Sequence, residues 1–257
     1  MMQPLNTSPA VMVAQAQANL ARDLPVFIEQ PEHKACVCIV GGAPSLADTL
    51  PALRFQQGRG HLVAALNGTH DWLLDRGLVP DVHVMLDARL ENADFVRNPQ
   101  KGITYLIAAQ CHPKVFEALA GHDVIVWVAD VPGMRELADR TPKPLGLVGG
   151  GSTVGLKAMA LFYLWGFRLM SLFGMDSCYR EEAHHAYPQA LNDGERVIDT
   201  IIHGRRFFCS PWMLAQAEDF RDDAKRLIGR GVELKAYGSG LIQTLLQKIH
   251  MENLNAA

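Results

Sequence analysis

The chain has 257 residues, of which 49% are hydrophobic and 20% are charged, which is the balance of a globular protein with a full core. Its net charge of −3 and the lack of any basic run argue against a general nucleic-acid-binding protein. No basic segment followed by an apolar core opens the sequence, and the apolar run 158–167 is shorter than the ~20 residues of a bilayer span. We therefore expect a cytoplasmic protein without membrane partners.

The five cysteines do not form a metal-binding pattern. Their number is odd, and the only close pair, Cys36 and Cys38, lies two residues apart within an expected strand. That is not a zinc spacing, so we expect reduced thiols.

Residues 1–30 form the first segment of the chain. They are polar at first and become helical in pattern around 11–22. This pattern predicts an N-terminal arm or capping helix, and a contact in a homo-oligomer is equally compatible with it. Residues 31–257 contain no repeat or low-complexity linker, and we interpret them as a single domain.

From residue 35 the chain alternates between strand and helix signals. Residues 35–40 are a continuous apolar run, which is typical of a parallel strand buried on both faces. The further predicted strands are 61–66, 82–86, 104–108, 124–128 and 169–173, and the predicted helices are 69–76, 113–120 and 153–165. The pattern indicates an α/β fold, Rossmann-like, with a mostly parallel sheet covered by helices on both faces.

The alternation of strand and helix signals ends at Asp176. Residues 177–195 form a polar loop, longer than most connections and typical of a lid or binding loop. Two strands, 197–202 and 206–209, flank His203 and Gly204 as a predicted hairpin. Ser210 and Pro211 open a predicted helix to about residue 228, followed by a strand at 232–236 and a closing helix at 239–250.

Two glycine-rich turns precede helices and are candidate phosphate cradles, because free N–H groups at a helix start favour anions. Neither turn matches the dinucleotide fingerprint or the P-loop. The candidate nucleotide-binding residues are Gly41, Gly42, Ala43, Pro44 and Ser45 in the first turn, and Gly150, Gly151, Ser152 and Thr153 in the second, which starts at Gly149.

Polar residues follow several strands at their carboxyl ends. Asp87, Asp130 and Asp176 stand there, as does Asn67. Carboxylates at one rim beside glycine turns are what a Mg²⁺–phosphate site needs, although aspartate also favours such junctions as a turn former. We predict that Asp87 and Asp176 hold the metal ion, directly or through water.

The long loop carries His184 and His185, either of which could serve as a general base or acid beside a phosphate. Adjacent side chains do not share a face, so we expect only one of the two to face the site. Their spacing from Cys178 does not support a zinc site, and no G-x-S-x-G elbow supports a serine nucleophile.

The order of these motifs resembles the 6-hydroxymethylpterin pyrophosphokinase MptE-like Rossmann family. The resemblance lies in residues 41–46, then in Asn67, Gly77 and Asp87, and finally in residues 151–156 and 172–176. It covers about residues 35–185 and implies an enzyme that transfers a diphosphoryl group from Mg-ATP to an acceptor hydroxyl.

The same blocks are similar to two groups of glycosyltransferases, the bacterial CMP-sialic-acid transferases and the motility-accessory flagellin glycosyltransferases. In the sialyltransferases an asparagine of the first turn touches the nucleotide and a loop histidine is the base. Here Gly42 stands at the asparagine position and Ala43 replaces a glycine, which weakens the analogy for CMP.

Three hypotheses follow. The first is diphosphoryl transfer, with ATP across the two turns, Asn67 on the nucleotide or acceptor, and Asp176 with His184 or His185 as catalytic residues. The second is a glycosyltransferase using a CMP- or other nucleotide-sugar, which could work without metal. The third is a non-catalytic nucleotide-binding or assembly protein on the same fold.

Overall fold

The computed structural model of the protein describes residues 6–142, 144–181, 183, 185–188 and 195–256. The strands are β1 (His33–Val40), β2 (Leu62–Leu66), β3 (Val82–Met85), β4 (Thr104–Ala108), β5 (Asp123–Ala129), β6 (Leu147–Val148), β7 (Phe167–Phe173), β8 (Ile198–Ile202), β9 (Arg205–Cys209) and β10 (Glu233–Ala236). The α-helices are α1 (Pro9–Leu20), α2 (Leu46–Gly58), α3 (Thr69–Leu74), α4 (Pro113–Ala118), α5 (Met134–Arg140), α6 (Val154–Leu164), α7 (Pro211–Ile228) and α8 (Leu241–Ala256), and a 3₁₀-helix spans Leu90–Val96.

Eight strands form one sheet in the order β10-β7-β1-β2-β3-β4-β5-β6, and their pairings are parallel. The strands β8 and β9 form a separate antiparallel hairpin. The α/β Rossmann-like class and the C-terminal hairpin with helices are therefore confirmed.

The second half of the central strand β1, residues 37–40, is buried, and its packing explains why it is apolar throughout. Val37 and Ile39 pack into the larger core, which includes residues of α6. Cys38 and Val40 point into a second core with Leu46 of α2 and other residues of α2 and α3. Because both faces of β1 are covered, no polar residue alternates with the apolar ones.

The sheet has one topological switch point. From β1 the chain steps in one direction to β6, and α6 then returns it to β7 on the other side of β1. Ligands of open α/β sheets bind outside the carboxyl ends of the strands at such a point.

The N-terminal helix α1 lies across the carboxyl ends of β3 and β4. Gln15 Nε2 donates to the carbonyl of Ala88 (3.2 Å), and the buried Asn19 Nδ2 donates to the carbonyls of Ala109 and Cys111 (2.8 Å each). The loops after β3 and β4 are thus covered by α1.

Some elements were absent from the sequence prediction. The helix α5, the 3₁₀-helix and β6 were missed, and β6 has only two residues, too few for any periodic pattern. Helix α8 runs to Ala256, beyond the predicted end at residue 250. The hairpin turn at His203 and Gly204 is confirmed, with φ of 48° and 75°.

Two further expectations concern thiols and membranes. The five cysteines are free thiols, four of them buried. Within the described ranges, no helix combines the length and apolarity that crossing a membrane requires. The division of the chain into an arm and a single domain stays a prediction.

Candidate functional site at the switch point

The first glycine turn, residues 41–45, is called the β1 turn here, and it is bound to the end of β7. The N–H of Gly41 donates to the carbonyl of Phe173 (2.8 Å), and that of Ala43 donates to the carbonyl of Gly174 (2.9 Å). A Cβ on Gly41 would lie 2.5 Å from the Gly174 oxygen, and Gly174 has a φ of +56°. The close approach of the two backbones therefore requires glycine at both positions.

Asp176 holds this turn in place. One carboxylate oxygen accepts from Ser45 N (2.8 Å) and the other from Ser45 Oγ (2.5 Å), while Gln243 Nε2 lies 3.3 Å from the second. The side chain is buried, and burial raises the pKa of Asp176, while the hydrogen bonds from Ser45 act in the opposite direction. The carboxylate lies at the amino end of α2, where a negative charge is favoured.

Asn67 follows β2 in a left-handed conformation, with a φ of +48°. Its carbonyl accepts from His70 N (3.2 Å) and lies 2.9 Å from His83 Nε2. Its side-chain Oδ1 is buried and receives no hydrogen bond from the part of the chain that the structure describes. Buried polar atoms normally have a partner, so this oxygen is suited to accept an N–H or O–H of a ligand.

Residues 185–188 of the long loop lie over the β1 turn. Ala186 N donates to the carbonyl of Gly42 (2.8 Å), and the Tyr187 ring fills the space that a Cβ on Gly42 would need. Burial raises the pKa of Tyr187 to about 12. His185 is half-buried, with its ring centroid 5.6 Å from that of Tyr187. The structure thus brings His185 to the side of the β1 turn, whereas His184 lies outside the described residues.

The second glycine turn, residues 149–153, is called the β6 turn. It faces acids of α7: Gly151 N donates to Asp223 Oδ2 (2.8 Å), and Ser152 Oγ donates to Asp219 Oδ2 (2.9 Å). Burial raises the pKa of Asp223, and the bond from Gly151 opposes this effect. A phosphate placed on these two donors would have to displace two carboxylates of its own sign.

Only the last residue of the β6 turn is connected to the switch point. Gln216 Nε2 donates to Thr153 Oγ1, and Gln216 Oε1 accepts from Ser177 Oγ, each at 2.9 Å. Ser177 directly follows Asp176, so Gln216 joins the start of α6 to the end of β7. Gly150, Gly151 and Ser152 are not brought to the β1 turn by any contact of this kind among the described residues.

The two predicted metal ligands lie apart. Asp87 forms an ion pair with Arg89, whose Nη2 lies 2.7 Å from Asp87 Oδ2, while both oxygens of Asp176 accept from Ser45. Their strands, β3 and β7, are three positions apart in the sheet, roughly 14 Å at the usual strand spacing. Magnesium binds oxygen at about 2.1 Å, so this arrangement does not fit one ion held directly by both carboxylates.

The described residues contain no group of three or more His, Cys, Asp or Glu side chains placed to hold a metal ion. The third rim aspartate, Asp130, forms an ion pair with Arg135 at 2.8 Å. The magnesium assignment therefore rests on the sequence alone, and no chemical step is derived through it.

Lys157 is a residue of this rim that sequence reasoning missed. Its side chain is buried, and Nζ donates to the carbonyls of Asp130 (3.2 Å) and Val148 (3.3 Å), at the ends of β5 and β6. Burial lowers the pKa of Lys157. The sequence contains an indication of this role, because Lys157 is the lone charge near the start of the otherwise apolar helix α6. A buried charge in such a helix needs acceptors inside the protein.

Comparisons with known proteins agree with this fold. One solved structure, described as the MAf glycosyltransferase from Magnetospirillum magneticum AMB-1, is similar over 99% of this chain with a TM-score of 0.69 and 19% sequence identity. The chain spans 43% of that protein's length, and at this identity the likeness shows the fold. No curated protein matches the chain. The sequence model of the family described as "6-hydroxymethylpterin diphosphokinase MptE-like" matches residues 12–182, which is more than half of the chain, so the protein belongs to the MptE-like family.

Proposed function

We propose that the protein is a nucleotide-dependent transferase whose nucleotide lies at the carboxyl ends of β1 and β2, beside the β1 turn and Asn67. The observation that carries this proposal is the buried Asn67 Oδ1, which receives no donor from the described residues. A nucleotide has amino and ribose hydroxyl groups that can donate to such an oxygen. The family membership supports the transferase class.

The specific reaction that we propose is diphosphoryl transfer from ATP, which enters as its magnesium complex. The oxygen of an acceptor hydroxyl attacks the β-phosphorus of ATP, and the bond from that phosphorus to the oxygen bridging to the α-phosphorus breaks. AMP leaves, and the diphosphoryl group is then bonded to the acceptor oxygen. The family description, which names a diphosphokinase, supports this choice.

The chain's own residues would act by positioning and by accepting a proton. The β1 turn is rigidly placed by Asp176, which therefore serves as a positioning residue through Ser45. His185, which lies beside this turn, would accept the proton of the attacking hydroxyl. Thr153 and the start of α6 would offer donors to the phosphates of the donor substrate.

A second candidate is glycosyl transfer from a nucleotide-sugar. One observation favours it: the glycosyltransferase structure is similar over 99% of the chain, including the hairpin and helices that follow residue 182, where the family match ends. In this reaction the same histidine would deprotonate an acceptor hydroxyl while the sugar–phosphate bond breaks, and no metal would be required.

Calorimetric titration with ATP, CMP and CMP-sialic acid, each with Mg²⁺ and with EDTA, distinguishes these candidates. ATP binding that requires Mg²⁺, followed by AMP release with an acceptor, supports diphosphoryl transfer. CMP or CMP-sialic acid binding that is unaffected by EDTA supports glycosyl transfer. Binding of none of them contradicts the proposed site.

The variant Asn67→Gly tests whether Asn67 Oδ1 binds the nucleotide, because glycine keeps the left-handed backbone conformation while the side-chain amide is removed. We expect about a tenfold loss of nucleotide affinity, the value of one hydrogen bond of roughly 1.4 kcal/mol. Asn253→Gly, at an exposed asparagine of α8, is the matched control and should bind as the wild type does. Equal affinity of Asn67→Gly and wild type would remove Asn67 from the site.

A further inference from the structure

A cavity of about 270 Å³ lies at one edge of the sheet, between α8 and the edge strand β10, which pairs with β7. The proposed function does not use it. Six of its lining residues matter for its chemistry: Lys235, Tyr237, Gln243, Leu246, Gln247 and His250.

Gln243 is the buried polar group of this cavity, with 2% of its surface exposed. Its Nε2 donates to the carbonyl of Tyr237 (2.9 Å) and lies 3.3 Å from Asp176 Oδ1. Its Oε1 is buried and accepts no hydrogen bond from the residues that the structure describes. A buried acceptor left without a donor costs about 1–3 kcal/mol, so a donor that enters the cavity is stabilising.

Gln56, next to Tyr237, is a second glutamine whose amide nitrogen is bonded while its amide oxygen has no donor in the described part of the chain. Gln56 Nε2 donates to Tyr237 Oη (3.0 Å), while its own Oε1 is buried without a donor among the described residues. Tyr237 stacks on Phe173, with ring centroids 4.2 Å apart and planes 9° apart, so its position is well defined. Tyr237 and Leu246 supply the apolar wall of the cavity.

The mouth of the cavity carries a cation and further donors. Lys235 Nζ lies 2.6 Å from Glu233 Oε1, and both side chains are more than half exposed. Exposed ion pairs contribute at most about 1 kcal/mol, so the ammonium can exchange Glu233 for the anionic group of a ligand. Gln247 and His250, exposed on α8, add N–H donors.

We propose that this cavity binds a small organic anion that also carries hydroxyl or amino donors. Its anionic group would pair with Lys235, and one of its donors would satisfy Gln243 Oε1. The volume of about 270 Å³ is slightly below that of known ligand pockets, which start at about 300 Å³, so the ligand is smaller than a nucleotide. Gln243 also contacts Asp176 of the proposed nucleotide site, but the present proposal does not rest on the proposed function. Binding here by a protein that ignores nucleotides would support it equally.

The test is calorimetric titration of the full chain with glycerol 3-phosphate, which combines an anion with two hydroxyl groups. Inorganic phosphate supplies the anion alone, and glycerol supplies the donors alone. We expect glycerol 3-phosphate to saturate the protein at or below about 10 mM and to bind at least tenfold more tightly than either part. Failure to saturate, or binding no tighter than that of phosphate, would overturn the proposal.

Three substitutions test whether glycerol 3-phosphate binds in this cavity. Lys235→Met, at an exposed position, should weaken glycerol 3-phosphate binding about fivefold or more, because a charge-assisted hydrogen bond is lost. Gln243→Leu should also weaken binding, with retained folding checked by thermal unfolding. Lys248→Met, at an exposed lysine of α8 outside the cavity lining, is the control and should bind as the wild type does. Wild-type affinity in Lys235→Met would place the ligand elsewhere and refute the site.

Discussion

The two glycine turns are alike in sequence and differ in their surroundings. Each precedes a helix, and each has N–H groups bonded to an aspartate from a distant part of the chain. The β1 turn lies at the centre of the sheet beside Asn67 Oδ1, which has no donor among the described residues. The β6 turn follows the edge strand and faces two acids of α7. A glycine turn before a helix thus does not define an anion site by itself, because the acids that fold onto it decide what it can bind.

The largest expected difference between the two turns concerns the first glycine of each, Gly41 and Gly149. Gly41→Ala places a Cβ 2.5 Å from the Gly174 oxygen, and we expect a loss of about 3 kcal/mol in the free energy of unfolding because backbone must move. Gly149→Ala meets no atom within 4 Å and should change stability by less than about 0.5 kcal/mol. Urea unfolding of both variants measures the difference, and similar values would contradict a tightly packed β1 turn.

A smaller difference is expected from the acids that hold the turns. Asp176→Ala leaves the buried N–H and hydroxyl of Ser45 without an acceptor, which should cost about 2–3 kcal/mol. Asp219→Ala removes a bond to the exposed Ser152 Oγ, which water can replace, so we expect about 0.5 kcal/mol or less. Thermal unfolding checks the order, and a larger effect for Asp219→Ala would reverse the comparison.

The smallest expected effect is a pH dependence. Burial raises the pKa of Asp176 in the folded state above its unfolded value, so the folded protein binds the proton more tightly. Its contribution to stability is therefore fully present below the unfolded pKa, near ~3.9, and is lost as the pH rises through the folded pKa. The stability of the wild type relative to Asp176→Asn should fall over this interval in urea titrations, and a rise would show that the hydrogen bonds from Ser45 outweigh burial.

The sequence predicted the sheet better than it predicted the site. The apolar run 35–40 and the capping pair Ser210 and Pro211 carry local signals, and the strand β1 and the helix α7 formed where they predict them. The partners of the β6 turn could not be foreseen, since Asp219 and Asp223 lie about 70 residues later and their approach depends on how α7 packs. The distance between Asp87 and Asp176 likewise follows from strand order, which no local pattern contains.

The orphaned Asn67 Oδ1 could not be found in the sequence either. A left-handed asparagine after a strand is also a common turn former, and only the packing of its neighbours shows that its Oδ1 receives no donor from the part of the chain that the structure describes. Residues of this kind are best found by accounting for each buried polar atom in the structure.

The docking of α1 has a consequence for synthesis on the ribosome. Asn19 donates to the carbonyl of Cys111, which is translated 92 residues later. At a synthesis rate of about 5–20 residues per second, roughly 5–20 s pass between the synthesis of Asn19 and that of Cys111. During that interval Met12 and Ala16, which are buried in the finished protein, lack the packing that α4 and α5 later give to α1. A chaperone that shields them would raise the yield of folded protein without affecting the stability of the finished one.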